Sequence, residues 1–194
     1  LLPQVIAAFV KGYEDKDILL YSRYENIQQM FDELKMSGRI NKTMPTEDYL
    51  NIIITSIGGN KSDRYVEQKL EHNTIVKEDG TLTNELIITR HHHWSATALD
   101  EWQKTLAPFG YTEISETVKD ILGRGVNKVI VKVYVPAGSE LIDAFLIDRS
   151  NVLVRYDQEI DKTYFMFPME VAPGNEQKIA LTYKLPYTLN LMPV

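Results

Sequence analysis

Two long runs of alternating apolar and polar residues face each other across one turn, and the rest of the chain is arranged around them. In residues 64–94, RYVEQKLEHNTIVKEDGTLTNELIITRHHHW, Val66, Leu70 and Val76 share one face of a first strand. Leu82, Leu86, Ile88 and Trp94 share one face of a second. Gly80 supplies the positive φ that a tight hairpin loop demands, and Asp79 can hydrogen-bond its own backbone there. A three-residue loop with Lys77 opposite Thr81 sets Val76 against Leu82 and Leu70 against Ile88. A two-residue loop slips the pairing by one and sets each apolar face against a polar one, so the longer loop is expected.

Before the hairpin the period is helical. Leu2, Val5, Ile6, Phe9, Val10 and Tyr13 predict an amphipathic helix over 3–13. A short apolar run, 17–21 (DILLY), fits a buried strand. Ile27, Met30, Phe31 and Leu34 form the stripe of a helix over 23–36, with Gly38 placed as its C-cap glycine. Residues 49–57 (YLNIIITSI) read as a strand covered on both faces.

After the hairpin, 96–107 and 114–122 are helical in composition and predict an excursion between strands. Strands are then expected at 128–135, 140–147, 163–171 and 178–183, with a turn at Ala172-Pro173-Gly174-Asn175. Pro168 inside the third of these marks an edge or a bulge. The expected fold class is therefore α+β: a small α/β layer at 1–63, then an antiparallel β-sandwich over 64–194 with a helical insertion at 96–122. A strand–helix–strand layer this thin is expected to be the end of a larger upstream sheet.

Composition narrows the function classes. The chain has 194 residues, 44% hydrophobic and 25% charged, with a net charge of −6, which argues against nucleic acid as a partner and gives no support for docking on an anionic membrane face. With no cysteine, disulfides, thiolate catalysis and cysteine-ligated zinc are excluded. The opening LLPQVIAAFV is shorter than the roughly 20 apolar residues that span a bilayer, and it lacks the basic flank of a signal peptide. A start without methionine, inside a helical pattern, suggests a fragment whose anchor lies upstream.

Several segments carry a resemblance. DYLNIIITSIGGNKSDRYVEQ, KDILLYSRYENIQQMFDELKMSGRI, KEDGTLTNELIITRHHH, VYVPAGSEL and VAPGNEQKIALTYKLP resemble, in order, parts of the bacterial domain-of-unknown-function family numbered 4012. The Gly-Gly-Asn-Lys-Ser-Asp block is the most specific of them, and Ser56 stands where that family's pattern has Asn. The resemblance implies an extracytoplasmic protein on the cell surface, tethered by a transmembrane helix outside this chain, mostly in Gram-positive bacteria, with cell-wall or envelope components as partners and no assigned activity. The upstream half of that family resembles the LytR–CpsA–Psr glycopolymer transferases. Two functions follow from it: a non-catalytic scaffold or interaction module, or an accessory part of such a transferase with Lys61 and Arg64 near a pyrophosphate.

Two constellations are candidate sites. In Gly58-Gly59-Asn60-Lys61-Ser62-Asp63-Arg64, adjacent glycines let backbone N–H groups converge while Lys61 and Arg64 add charge, as an anion site requires. The glycine–lysine spacing is not that of a Walker loop. The competing reading is a linker between two layers, with Asp63 paired to Arg64 or Lys61. On the hairpin, His91 and His93 share the polar face with Glu67 opposite His91, a set that could hold a divalent metal or could be a solvated strand end. A carbohydrate site on Tyr164, Phe165, Phe167, Tyr183 and Tyr187 competes with their forming a core. No serine sits in a GxSxG elbow, and no other cofactor or catalytic residue is indicated.

Overall fold

A computed structural model describes residues 2–40 and 43–191. The chain divides into two compact units, Leu1–Lys42 and Thr43–Val194. The division expected at residue 63 thus lies earlier, because the strand that follows residue 50 belongs to the sandwich.

In the first unit, α1 (Leu2–Glu14) and α2 (Glu25–Glu33) form where the apolar stripes predict them. The end of α2 differs from expectation. Lys35 takes the left-handed conformation at φ 57°. Met36 N–H then donates to the Phe31 carbonyl (2.7 Å) and Lys35 N–H to that of Asp32 (3.0 Å), a Schellman closure made three residues before Gly38. Residues 17–21 belong to no helix or strand among the described residues, and Leu20 N–H donates to Met36 O at 2.8 Å. The buried strand expected there is absent because no neighbouring strand pairs with it, and Leu19 is left exposed.

The second unit is an antiparallel β-sandwich of two four-stranded sheets. One has the order β1-β4-β7-β6, from β1 (Asn51–Ser56), β4 (Asn127–Pro136), β6 (Leu153–Asp157) and β7 (Lys162–Val171). The other has the order β2-β3-β8-β5, from β2 (Val66–Val76), β3 (Thr81–His92), β5 (Glu140–Phe145) and β8 (Glu176–Thr188). The hairpin register is the expected one: Val76 faces Leu82, Leu70 faces Ile88 and Glu67 faces His91. Lys77 N–H donates to Thr81 O at 2.9 Å, closing the three-residue loop. Gly80 at φ 81° sits where an added Cβ would lie 2.0 Å from the Leu189 carbonyl oxygen.

The core is built from alternate residues of the central strands: Val129, Val131, Val133 and Val135 of β4, Phe165 and Phe167 of β7, Leu86 and Ile88 of β3, and Leu181 and Tyr183 of β8. Burying side chains of this size contributes roughly 1.5–3 kcal/mol each, which makes this seam the main source of stability. Phe165, Phe167 and Tyr183 are therefore core rather than a glycan platform. Between β3 and β4 runs the insertion: α3 (Ala96–Leu106), α4 (Glu116–Lys119) and a π-turn at Asp120–Arg124.

Three strand details differ from the sequence pattern. Among the described residues β1 is an edge strand paired only with β4, with Ile53 exposed, so it is not covered on both faces. β7 is internal to its sheet, yet β6 ends its pairing at Met166, so Pro168 meets no β6 residue. β6, with only five residues and polar Arg155 and Asp157 among them, gave no strand signal of its own.

Candidate functional site

The loop after β1 is held by its own side chains. Asn60 Nδ2 donates to Val126 O (3.1 Å), and Asn60 Oδ1 accepts from Ser62 N–H (3.0 Å). Lys61 N–H donates to Ile121 O (2.9 Å) and Arg64 N–H to Lys61 O (3.3 Å). The amides of Lys61, Ser62 and Arg64 are thus spent on the protein, so they do not converge on an external anion. Asn60 and Gly58 seat the loop against the start of β4, where a Cβ on Gly58 would lie 3.4 Å from Val126 O and Lys128 N, and the Lys61 amide ties it to the insertion.

What the loop does present is its two cations. Lys61 Nζ lies 5.8 Å and Arg64 Cζ 5.4 Å from the centroid of the Trp102 ring, at cation–π distance. Trp102 is half-buried on α3, and its Nε1 donates to the Tyr65 hydroxyl at 2.7 Å. Tyr65 in turn meets Trp94 edge-to-face, with centroids 4.8 Å apart. Its ring also covers Gly123, whose missing side chain makes room for it: a Cβ there would lie 2.4 Å from the Tyr65 ring. Neither Lys61 nor Arg64 has a carboxylate partner among the described residues. The sequence pattern offers Trp102, with Leu99 and Leu106, as a stripe packing α3 on the sandwich or as a partner groove; it does not join Trp102 to Lys61 and Arg64, about 40 positions earlier.

Beneath the loop is a buried polar network. Arg90, 4% exposed on the inner face of β3, donates from Nη1 to Gln68 Oε1 (2.7 Å) and from Nη2 to Asn127 Oδ1 (3.0 Å) and Asp63 Oδ1 (3.4 Å). Asn127 Nδ2 donates to Asp63 Oδ1 (2.7 Å) and to the hydroxyl of fully buried Ser62 (2.9 Å). Asp63 therefore pairs with Arg90 rather than with Arg64 or Lys61: the 3-10 turn Ser62–Tyr65 directs it inward. Burial pulls the Arg90 guanidinium below its ordinary pKa, and Asp63 opposes that. A shallow cavity of about 290 Å³ opens here, lined by Ile54, Ser56, Asp63, Val66 and Arg90. Its guanidinium and carboxylate compensate each other, so it offers no net charge to a ligand.

The histidines divide by parity. His93 Nε2 lies 2.9 Å from Glu67 Oε2, and the His91 and His93 rings are 3.9 Å apart at their centroids, on the polar face as expected. Glu67, His91 and His93 are thus neighbours. Among the described residues, however, no group of three or more His, Asp or Glu side chains is arranged to hold a metal ion. His72 faces inward and reaches the Tyr183 hydroxyl at 3.1 Å. The serine hydroxyls do structural work: Ser95 and Ser115 cap α3 and α4 by accepting from Ala98 and Val118 N–H.

His92 is the most constrained of the four. It is fully buried, its Nε2 lies 3.2 Å from Gly125 O, and its Nδ1 accepts from Trp94 N–H at 3.2 Å. That arrangement requires the neutral ring protonated at Nε2. Desolvation accordingly holds its pKa below the ordinary 6.5. The unfolded chain then binds more protons, so stability is complete above about pH 6.5 and is lost as the pH falls from there toward the lowered folded value. Chemical denaturation from pH 7.5 to 5 is expected to show this slope, and His92→Gln to flatten it.

Comparison of the chain with protein-family models, with curated proteins and with solved structures finds no match.

Proposed function

We propose that this chain is a non-catalytic binding module of the bacterial cell envelope, outside the cytoplasmic membrane, that takes an acidic polymer across Trp102. The supporting observation is the pair of cations, Lys61 and Arg64, set on one half-buried indole and without a carboxylate partner among the described residues. In a chain of net charge −6 these two cations stand together on one indole, and cations on an aromatic surface suit a ligand alternating anionic groups with carbon-rich units. The resemblance of the Gly-Gly-Asn-Lys-Ser-Asp block and its neighbours supports the compartment. A scaffold reading fits the rest, since Asn60, Ser62, Asp63, Gln68, Arg90 and Asn127 bond to one another or to the backbone beside the loop.

The test is titration with a poly(glycerol phosphate) oligomer, followed by the fluorescence of Trp102 in a Trp94→Phe background. Saturable quenching is expected, with affinity falling about tenfold or more in Lys61→Ala/Arg64→Ala, since each charge-assisted contact contributes roughly 1.5–3 kcal/mol before solvent screening, and weakening as salt is raised. No quenching by the polyanion, or equal quenching by a neutral glycan, removes the proposal. Displacement of the polymer by micromolar inorganic pyrophosphate transfers the two cations to the accessory-transferase reading.

A further inference from the structure

Among the described residues, the outer edge of β2 pairs with no strand. Tyr65 O accepts from His93 N–H (2.7 Å) at one end of the hairpin, and Lys77 N–H donates to Thr81 O (2.9 Å) at the other. Both fix the odd-numbered residues as the ones whose backbone groups point to β3. The N–H and C=O groups of Val66, Gln68, Leu70, His72, Thr74 and Val76 therefore point away from the sheet, along a strand that ends the order β2-β3-β8-β5.

This edge carries few of the devices that normally block association. Its pairing with β3 runs from Val66 to Val76 without a bulge, and it has no proline. Leu70 and Ile75 are 44% and 45% exposed on opposite faces. Its charges alternate: Lys69 and Glu71 stand two residues apart on one face, 3.1 Å from each other.

We propose that β2 pairs antiparallel with β2 of a second copy of this chain, with Leu70 on the two-fold axis. In that register Lys69 of each copy faces Glu71 of the other, twice over, and Leu70 meets Leu70. Tyr65 approaches Ile75, and outward-pointing even residues face one another, as the hydrogen-bond pattern requires. The neighbouring registers are worse. Centring on Lys69 sets lysine against lysine, and centring on Glu71 sets glutamate against glutamate. Centring on Gln68 pairs only 66–70, and centring on His72 sets Lys69 against Ile75. The result is one continuous eight-stranded sheet across the dimer, closed by its own symmetry.

Charge reversal tests this by sedimentation equilibrium, because Lys69 and Glu71 are surface side chains whose exchange leaves the core untouched. The chain is expected to dimerise, and Lys69→Glu and Glu71→Lys each to weaken the dimer by tenfold or more. The double variant K69E/E71K restores it, and an equimolar mixture of the two single variants forms the heterodimer that neither forms alone. Circular dichroism confirms that each variant is folded. A chain that stays monomeric at millimolar concentration overturns the proposal, as does a dimer whose affinity the single reversals leave unchanged or the double reversal fails to restore.

Discussion

Arg90→Met is expected to lower the stability of the sandwich by about 2–3 kcal/mol, read as the shift of the urea midpoint. Removing one partner of a fully buried ion pair typically costs about 3–5 kcal/mol, because the other charge is left without compensation. The figure here is smaller because the Asp63 side chain is 44% exposed and can recruit water. What water cannot replace is the bond to Asn127 Oδ1, since Asn127 is fully buried. Methionine matches the stem of arginine in volume, so packing is nearly conserved and the loss reports the polar network. Gln68→Ala is the control: it removes a partner at the exposed strand edge and is expected to cost less than about 1 kcal/mol. Equal costs for the two variants would show that Arg90 contributes through packing alone.

Gly123→Ala is expected to cost about 2–3 kcal/mol and to disturb Trp102 at the same time. Gly123 sits at φ 134° in a π-turn, a backbone conformation essentially confined to glycine, and strain of that kind costs of order 1–3 kcal/mol. The added Cβ would also fall 2.4 Å from the Tyr65 ring, so the ring must move. Tyr65 holds Trp102 through its hydroxyl, so the displacement should reach the indole and shift its emission to longer wavelength. Gly110→Ala provides the comparison. It too has a positive φ, 86°, but open space around it, so it is strained without touching the aromatic cluster and should leave the emission unchanged. An unshifted spectrum in Gly123→Ala would break the link between the π-turn and the site.

The hairpin was legible because strand period and turn chemistry agree there: only one loop length puts apolar residues against apolar ones, and that register is the one adopted. The same parity places His91 and His93 on the polar face, where they stand. Where local signals lacked a neighbour, the outcome was different. DILLY has a strand's composition, but a strand exists only if another pairs with it. β1 reads as doubly covered because isoleucines occupy both of its faces, yet Ile53 remains exposed. Lys35 displaced Gly38 as the end of α2, since the helix stops where its carbonyls find donors.

By itself the amino-acid order determined the antiparallel class of the second unit, the hairpin's register and the candidate cations of the loop, all of which rest on periodicity and turn residues a few positions apart. Only the tertiary structure decided that Asp63 turns inward to Arg90, that Arg90 and Asn127 form one buried network, and that Lys61 and Arg64 stand on Trp102. Each of those joins residues roughly 30 to 65 positions apart on different elements. No local pattern encodes such meetings, because they depend on how the sheets stack and where the insertion returns. A buried polar group accepts whatever partner that packing brings within hydrogen-bond reach.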